Sequence, residues 1–306
     1  MERRVTVMIA LVAAISMVSG GVLIAVTDSS ETDGRPVIYT SMNWQKEMVQ
    51  EIVGDGYIVY SFIGANQDPH YYEGTPVDAA RVGNALAYFY MGAGMGWEEK
   101  YVNAAADSGV RSFNCFDGAG IEPYLGGCTH EGHDHGGGAD SPDLHIWTSP
   151  WNLTAIAEYV TDVMKALDPE NASVFEEGCN RYVNGENGTK QLEALATDLL
   201  KTPADGEELM LVVWHGSWGY LLRDCGIDQH SIEGLTDSFG TVLGLGDLNH
   251  GEPYIIFVGT EAERRNASAA APGYDTEMIN PLAGNWLVAL EDAILKISEG
   301  LIEGEH

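Results

Sequence analysis

Basic side chains are scarce in this chain. Lys and Arg number 15 against 46 Asp and Glu, and the formal net charge is −31. A polyanion of this size repels nucleic acid and anionic headgroups, which argues against both as partners. The same charge keeps the surface hydrated, suits a salty medium and raises the local concentration of divalent cations. Cysteine is also sparse. Cys115, Cys128, Cys179 and Cys225 are irregularly spaced and form no CxxC, which argues against a cysteine-built zinc site. HExxH and GxSxG are both absent, so the signatures of zinc peptidases and α/β-hydrolases are missing. There is no internal repeat.

Long apolar runs are equally rare. The uncharged stretch from Val5 to Val26 follows Arg3 and Arg4 and reaches the length of a short membrane span. Residues 1–27 therefore read as an export signal or an N-terminal membrane anchor, with the chain from about Thr27 onward outside the cytoplasm. Cleavage would leave a secreted protein. No Cys follows the run, so a lipoprotein anchor is not offered. An extracytoplasmic setting permits disulfides. It also fits the sequons at Asn152, Asn171, Asn187 and Asn266. Cys128 stays open as a disulfide partner, a free thiol or a soft ligand.

What is present is an apolar fraction of 45%, enough for a sizeable core in a chain of 306 residues. Strands are expected at 37–40, 57–63, 86–91, near Val110, at 209–214 and at 254–258. Helices are expected between them. One runs through Trp44, Met48 and Ile52, one is opened by Thr75-Pro76, and one runs from Trp97 to Ser108. Ser149-Pro150 opens another, with Leu153, Ile156, Val160, Val163 and Leu167 on one face. A further helix covers Trp218 to Arg223. The last helix is expected to carry Leu287, Leu290, Ile294, Ile297 and Leu301. This alternation indicates an α/β protein of two lobes, each with a mainly parallel sheet flanked by helices. The lobes are expected at 36–167 and 204–304. A long polar helix over 168–203 joins them, with Gly185 to Gly188 as a point of interruption.

Three histidines stand in separate phrases: Asp68-Pro69-His70, Asp143-Leu144-His145-Ile146-Trp147 and Val213-Trp214-His215-Gly216. Separations of 70 residues or more exclude a local finger and fit a site assembled from strand ends. Three imidazoles suit zinc. The Gly-, His- and Asp-rich stretch 117–142 adds His130, His133 and His135, an auxiliary metal loop that must be ordered on binding and so should bind more weakly. Trp147, Trp214 and Trp218 beside the histidines are expected to pack and to exclude water.

These phrases resemble the metal-specific solute-binding proteins of ABC importers, the zinc and manganese group. Asp68-Pro69-His70-Tyr71-Tyr72-Glu73-Gly74-Thr75-Pro76 is similar to the family's DPHxYExTP phrase. The segment 143–152 resembles DPHIWLDPxN more loosely. The segment 168–178 is similar to DPENAxxYExN, and His215 to Tyr220 to HxxxxY. The resemblance runs from about Val37 to the C-terminus. It implies two lobes joined by a long helix, with a metal between them held by His70, His145 and His215. It also implies a membrane permease as partner. The third histidine and the His-rich loop lean toward Zn2+, with Mn2+ as the alternative. The family's fourth ligand, an Asp in a late phrase, is replaced by Asn280. Either Asn280 serves there, or water does, or Asp275 or Glu277 reaches in.

Capture of extracellular metal for an ABC importer, with no reaction catalysed, is therefore the expected function. Two others compete. Three His with an open position also describes a zinc-dependent hydrolase. A surface adhesin with a structural metal is the other.

Overall fold

The computed structural model describes residues 34–125, 143–201, 209–233 and 254–303. The segment 1–27 and His130, His133 and His135 lie outside the described residues. Among those described, no helix is long and apolar enough to cross a membrane.

The N-lobe alternates strand and helix: β1 Val37–Met42, α1 Asn43–Val53, β2 Ile58–Ile63, α2 Pro76–Val82, β3 Ala87–Tyr90, α3 Glu98–Asp107, β4 Arg111–Asn114 and the short α4 Cys115–Gly118. Its four strands are parallel in the order β2-β1-β3-β4. Ile38, Tyr88 and Phe89 are fully buried, as expected of a parallel sheet covered on both faces. α2 begins where expected, with Pro76 in its first turn and the Thr75 hydroxyl accepting the Asp78 N–H. Such a cap is worth about 1 kcal/mol.

The buried Glu98 closes the carboxyl ends of β1 and β3. Its carboxylate accepts the N–H groups of Met91 and Gly92 at 2.8 and 3.0 Å, together with the Ser41 hydroxyl. Burial nevertheless pushes its carboxyl above the usual range.

α5, Pro150–Leu167, starts at Ser149 as expected. The connection to the C-lobe is then helical in segments. A 3-10 turn over Pro169–Asn171 leads into α6 Ala172–Asn184, and α7 Thr189–Leu199 follows a break. The expected long helix is thus interrupted at 185–188. Asn187 there adopts a positive φ of 59°, and a Cβ on Gly188 would lie 2.7 Å from the Val183 carbonyl oxygen.

The C-lobe comprises β5 Leu209–Val213, α8 Gly219–Cys225, β6 Asp228–Ser231, β7 Ile255–Val258, α9 Glu261–Ala270, β8 Asp275–Met278, α10 Trp286–Glu299 and β9 Ile302–Glu303. Strands β6-β5-β7-β8 are parallel, and β9 pairs antiparallel with the start of β5. Leu301, expected on the last helix, lies beyond its end, because the helix stops at Gly300. Alternation along β5 divides the packing. Leu211 and Val213 join a core that continues through Trp147, Trp218 and Trp286 into the N-lobe. Val212 faces the other way, toward Ile256, Val258 and Ala267.

Hydrogen bonds staple the lobes together. The Trp147 indole donates to the Pro281 carbonyl at 2.7 Å, and the Trp286 indole to the Trp147 carbonyl at 2.9 Å. Glu47 of α1 accepts the N–H groups of Asn285 and Trp286, both at 2.8 Å, where α10 has no side-chain cap of its own. Cys115, Cys179 and Cys225 are free thiols.

Candidate metal site

Each histidine is held by its local sequence. His70 sits in a 3-10 turn, Pro69–Tyr71, just past β2. Asp68 caps that turn by accepting the His70 N–H at 2.8 Å, and Pro69 presets its backbone. His145 precedes the turn Ile146–Thr148 and is 4% exposed. Asp143 Oδ1 accepts both its N–H, at 2.8 Å, and its Nδ1–H, at 2.7 Å. His215 follows β5, and its Nδ1 lies 2.7 Å from Glu233 Oε2. An ionised carboxylate can only accept, so Nδ1 of His145 and of His215, each facing one, is the donor, and a neutral ring held that way presents its Nε2 lone pair.

Those lone pairs converge. His145 Nε2 lies 3.4 Å from Nε2 of His70 and 3.4 Å from Nε2 of His215. One ligand atom from each of the three residues falls within 4.8 Å of the others. A tetrahedral zinc bound at about 2.05 Å requires its nitrogens to be about 3.3 Å apart. Both distances from His145 match this spacing, and the three atoms lie close enough for one ion to draw them together. Among the described residues this is the cluster of His, Cys, Asp or Glu with metal-binding geometry.

The histidines line a cavity of about 160 Å3 together with Tyr71, Trp214, Glu263 and Leu282. Trp147, Trp214 and Trp218 are buried, as expected of packing residues. Glu263 is held by the Gly259 N–H at 2.8 Å and the Thr260 hydroxyl at 3.2 Å. Burial raises its carboxyl above the usual range.

The residues expected around a fourth position are engaged elsewhere. The Asn280 amide oxygen accepts the Leu282 N–H at 2.9 Å, and its nitrogen donates to Asn66 at 2.7 Å. Asn280 thus ties the C-lobe to the N-lobe. Glu277 pairs with Lys296 at 3.1 Å. Asp275 opens β8, at the strand end remote from the histidines. Sequence reasoning missed Glu233 and Glu263. Glu263 had a legible signal, since Thr260 followed three residues later by a Glu is a capping-box pattern.

The family model for ZnuA, described as zinc-uptake complex component A, periplasmic, matches residues 38–242. The chain belongs to the ZnuA family. A zinc-binding lipoprotein, AdcA of Streptococcus pneumoniae, is 26% identical over 271 residues, covering 85% of this chain and 52% of the relative. This chain thus spans about half the length of that relative. The crystal structure of Zn(II)-bound AdcA from the same species superposes with a TM-score of 0.70 at 22% identity, covering 89% of this chain and 59% of that one. A crystal structure of ZnuA gives a TM-score of 0.66 at 24% identity, covering 87% and 99%. At these identities the likeness is one of fold, and that fold is the two-lobed α/β architecture expected from the sequence.

Proposed function

We propose that this ZnuA-family chain captures a divalent transition metal, zinc in preference to manganese, outside the cytoplasm and delivers it to the membrane permease of an ABC importer. The observation that carries this reading is the convergence of three imidazole Nε2 atoms, with His145 at the spacing of a tetrahedral ion from each of the other two. Neutral nitrogen donors favour zinc, whereas manganese prefers oxygen ligands. His70, His145 and His215 are the ligands in this reading, and solvent takes the fourth position. The protein binds and releases and catalyses no reaction. Residues 1–27 hold it at the membrane, and His130, His133 and His135 gather further, weaker equivalents.

The test is competition titration of metal-free protein with zinc and with manganese, paired with growth of a deletion strain in zinc-limited medium. One tight zinc equivalent and a zinc-correctable growth defect are expected. Weak or absent zinc binding by the intact protein would overturn the reading.

A further inference from the structure

Three neutral imidazoles offer a dication no opposing charge, although the cavity removes part of its water shell. Carboxylates sit immediately behind two of those imidazoles. Asp143 is bonded to His145 Nδ1 and Glu233 to His215 Nδ1, each at 2.7 Å. Glu263, also at the cavity, is instead bonded to Gly259 and Thr260.

The backbone explains how Glu233 reaches its histidine. The pairing of β5 with β6 ends at Val213 and Ser231, and further bonds extend it. The Ile232 N–H donates to the Val213 carbonyl at 3.0 Å, and the Glu233 N–H to the Trp214 carbonyl at 2.9 Å. The Ser231 hydroxyl also donates to the Trp214 carbonyl, at 3.0 Å. Glu233 is therefore anchored to the residue preceding His215. The backbone that sets the imidazole also sets its acceptor.

We propose that Glu233 is a positioning residue, which fixes His215 as the Nδ1–H tautomer and supplies, with Asp143, the two negative charges that balance a bound dication. Its contact is with the imidazole, and the metal feels it through the ring. A partner in this position typically changes metal affinity 10–100-fold. The proposal rests on the metal-capture reading.

Two variants separate its halves. Glu233→Gln keeps a carbonyl oxygen able to accept the Nδ1–H but removes the charge. Glu233→Ala removes both. The Glu233 side chain is 32% exposed, so neither change opens a cavity in the core. The first readout is the 15N NMR signature of His215 in metal-free protein, which reports which nitrogen carries the proton. Wild type and Glu233→Gln should display Nδ1–H, and Glu233→Ala a shift toward Nε2–H. The second is the dissociation constant for zinc alone, by competition titration. It should rise about tenfold for Glu233→Gln and approach 100-fold for Glu233→Ala. An unchanged tautomer in Glu233→Ala, with zinc affinity within about threefold of wild type, would overturn the proposal. Wild-type protein that fails to bind zinc would sink the capture reading, while the metal-free tautomer would still report on Glu233.

Discussion

In the N-lobe, the His145 and Asp143 side chains are 5% and 1% exposed, and in the C-lobe those of His215 and Glu233 are 14% and 32% exposed. Both pairs are joined by a 2.7 Å bond. The pairing chemistry is the same, but the surroundings differ. Asp143 is clamped, because its N–H donates to the Tyr124 carbonyl and its carbonyl accepts the Tyr220 hydroxyl. Its second carboxylate oxygen is buried and has no hydrogen-bond partner among the described residues. Such a group has been stripped of solvent to hold one residue, His145, and its field is little screened. Glu233 remains in contact with water, so its field is weakened by solvent and salt. The N-lobe half of the site is thus preformed and dry, and the C-lobe half is wetter and easier to tune.

The largest expected effect tests the dry half. His145→Ala should weaken zinc binding by more than about 100-fold, beyond the effect of losing an outer partner. His145 lies 3.4 Å from both other ligand nitrogens and is the most buried of the three, so its loss should exceed that of His70→Ala. Competition titration of the two variants decides this, and equal losses would remove burial as the reason for the asymmetry. Next comes Asp143→Asn against Glu233→Gln. The first should cost up to about 100-fold in zinc affinity and the second about tenfold. Raising salt from about 0.1 M to about 1 M shortens the screening length from about 10 Å to about 3 Å. It should shrink the Glu233→Gln penalty and leave that of Asp143→Asn nearly intact. A penalty for both that responds equally to salt would show that the two environments are electrostatically alike.

A fall in pH should act on both halves together. Zinc binds unprotonated Nε2, so protons compete with it, and affinity decreases as pH falls. Between about pH 7.5 and about pH 5.5 the loss should exceed about tenfold, because the concentration of protons competing for those lone pairs rises about 100-fold. A flat profile would mean that imidazoles do not hold the ion. The smallest effect belongs to Asn280→Asp. The amide joins Asn66 and Leu282, so an added carboxylate should change zinc affinity by less than about threefold, a margin set by its engagement away from the cavity. A clear gain in affinity would bring this residue to the metal.

The unequal legibility of the lobes follows from the same physics. β1, β2, β3 and β5 are apolar because both their faces are covered, and they stood out as strands. β6, Asp228–Ser231, and β8, Asp275–Met278, were missed. They are the edges of the C-lobe sheet and carry charged and polar side chains, as exposed edges often do. α9 was missed with β8, since Glu261–Ala270 is rich in Ala and charge and lacks a strong apolar stripe. The three histidines were legible because each is embedded in a phrase that builds its own turn. Glu233 was not, because its link to His215 spans 18 residues and arises from strand pairing that the polar edge concealed. Asn280 occupies the place where the resemblance located a ligand, but its side chain is committed to joining the lobes.

The turn at Gly185 to Gly188 has a practical consequence. It lies between α6 and α7, so a backbone cut there would leave His70 and His145 on one fragment and His215 on the other. The Trp147, Trp286 and Glu47 bonds and the shared core would then run between the two fragments. The chain therefore has the layout of a split reporter, in which neither fragment carries the full histidine set and the noncovalent pair does.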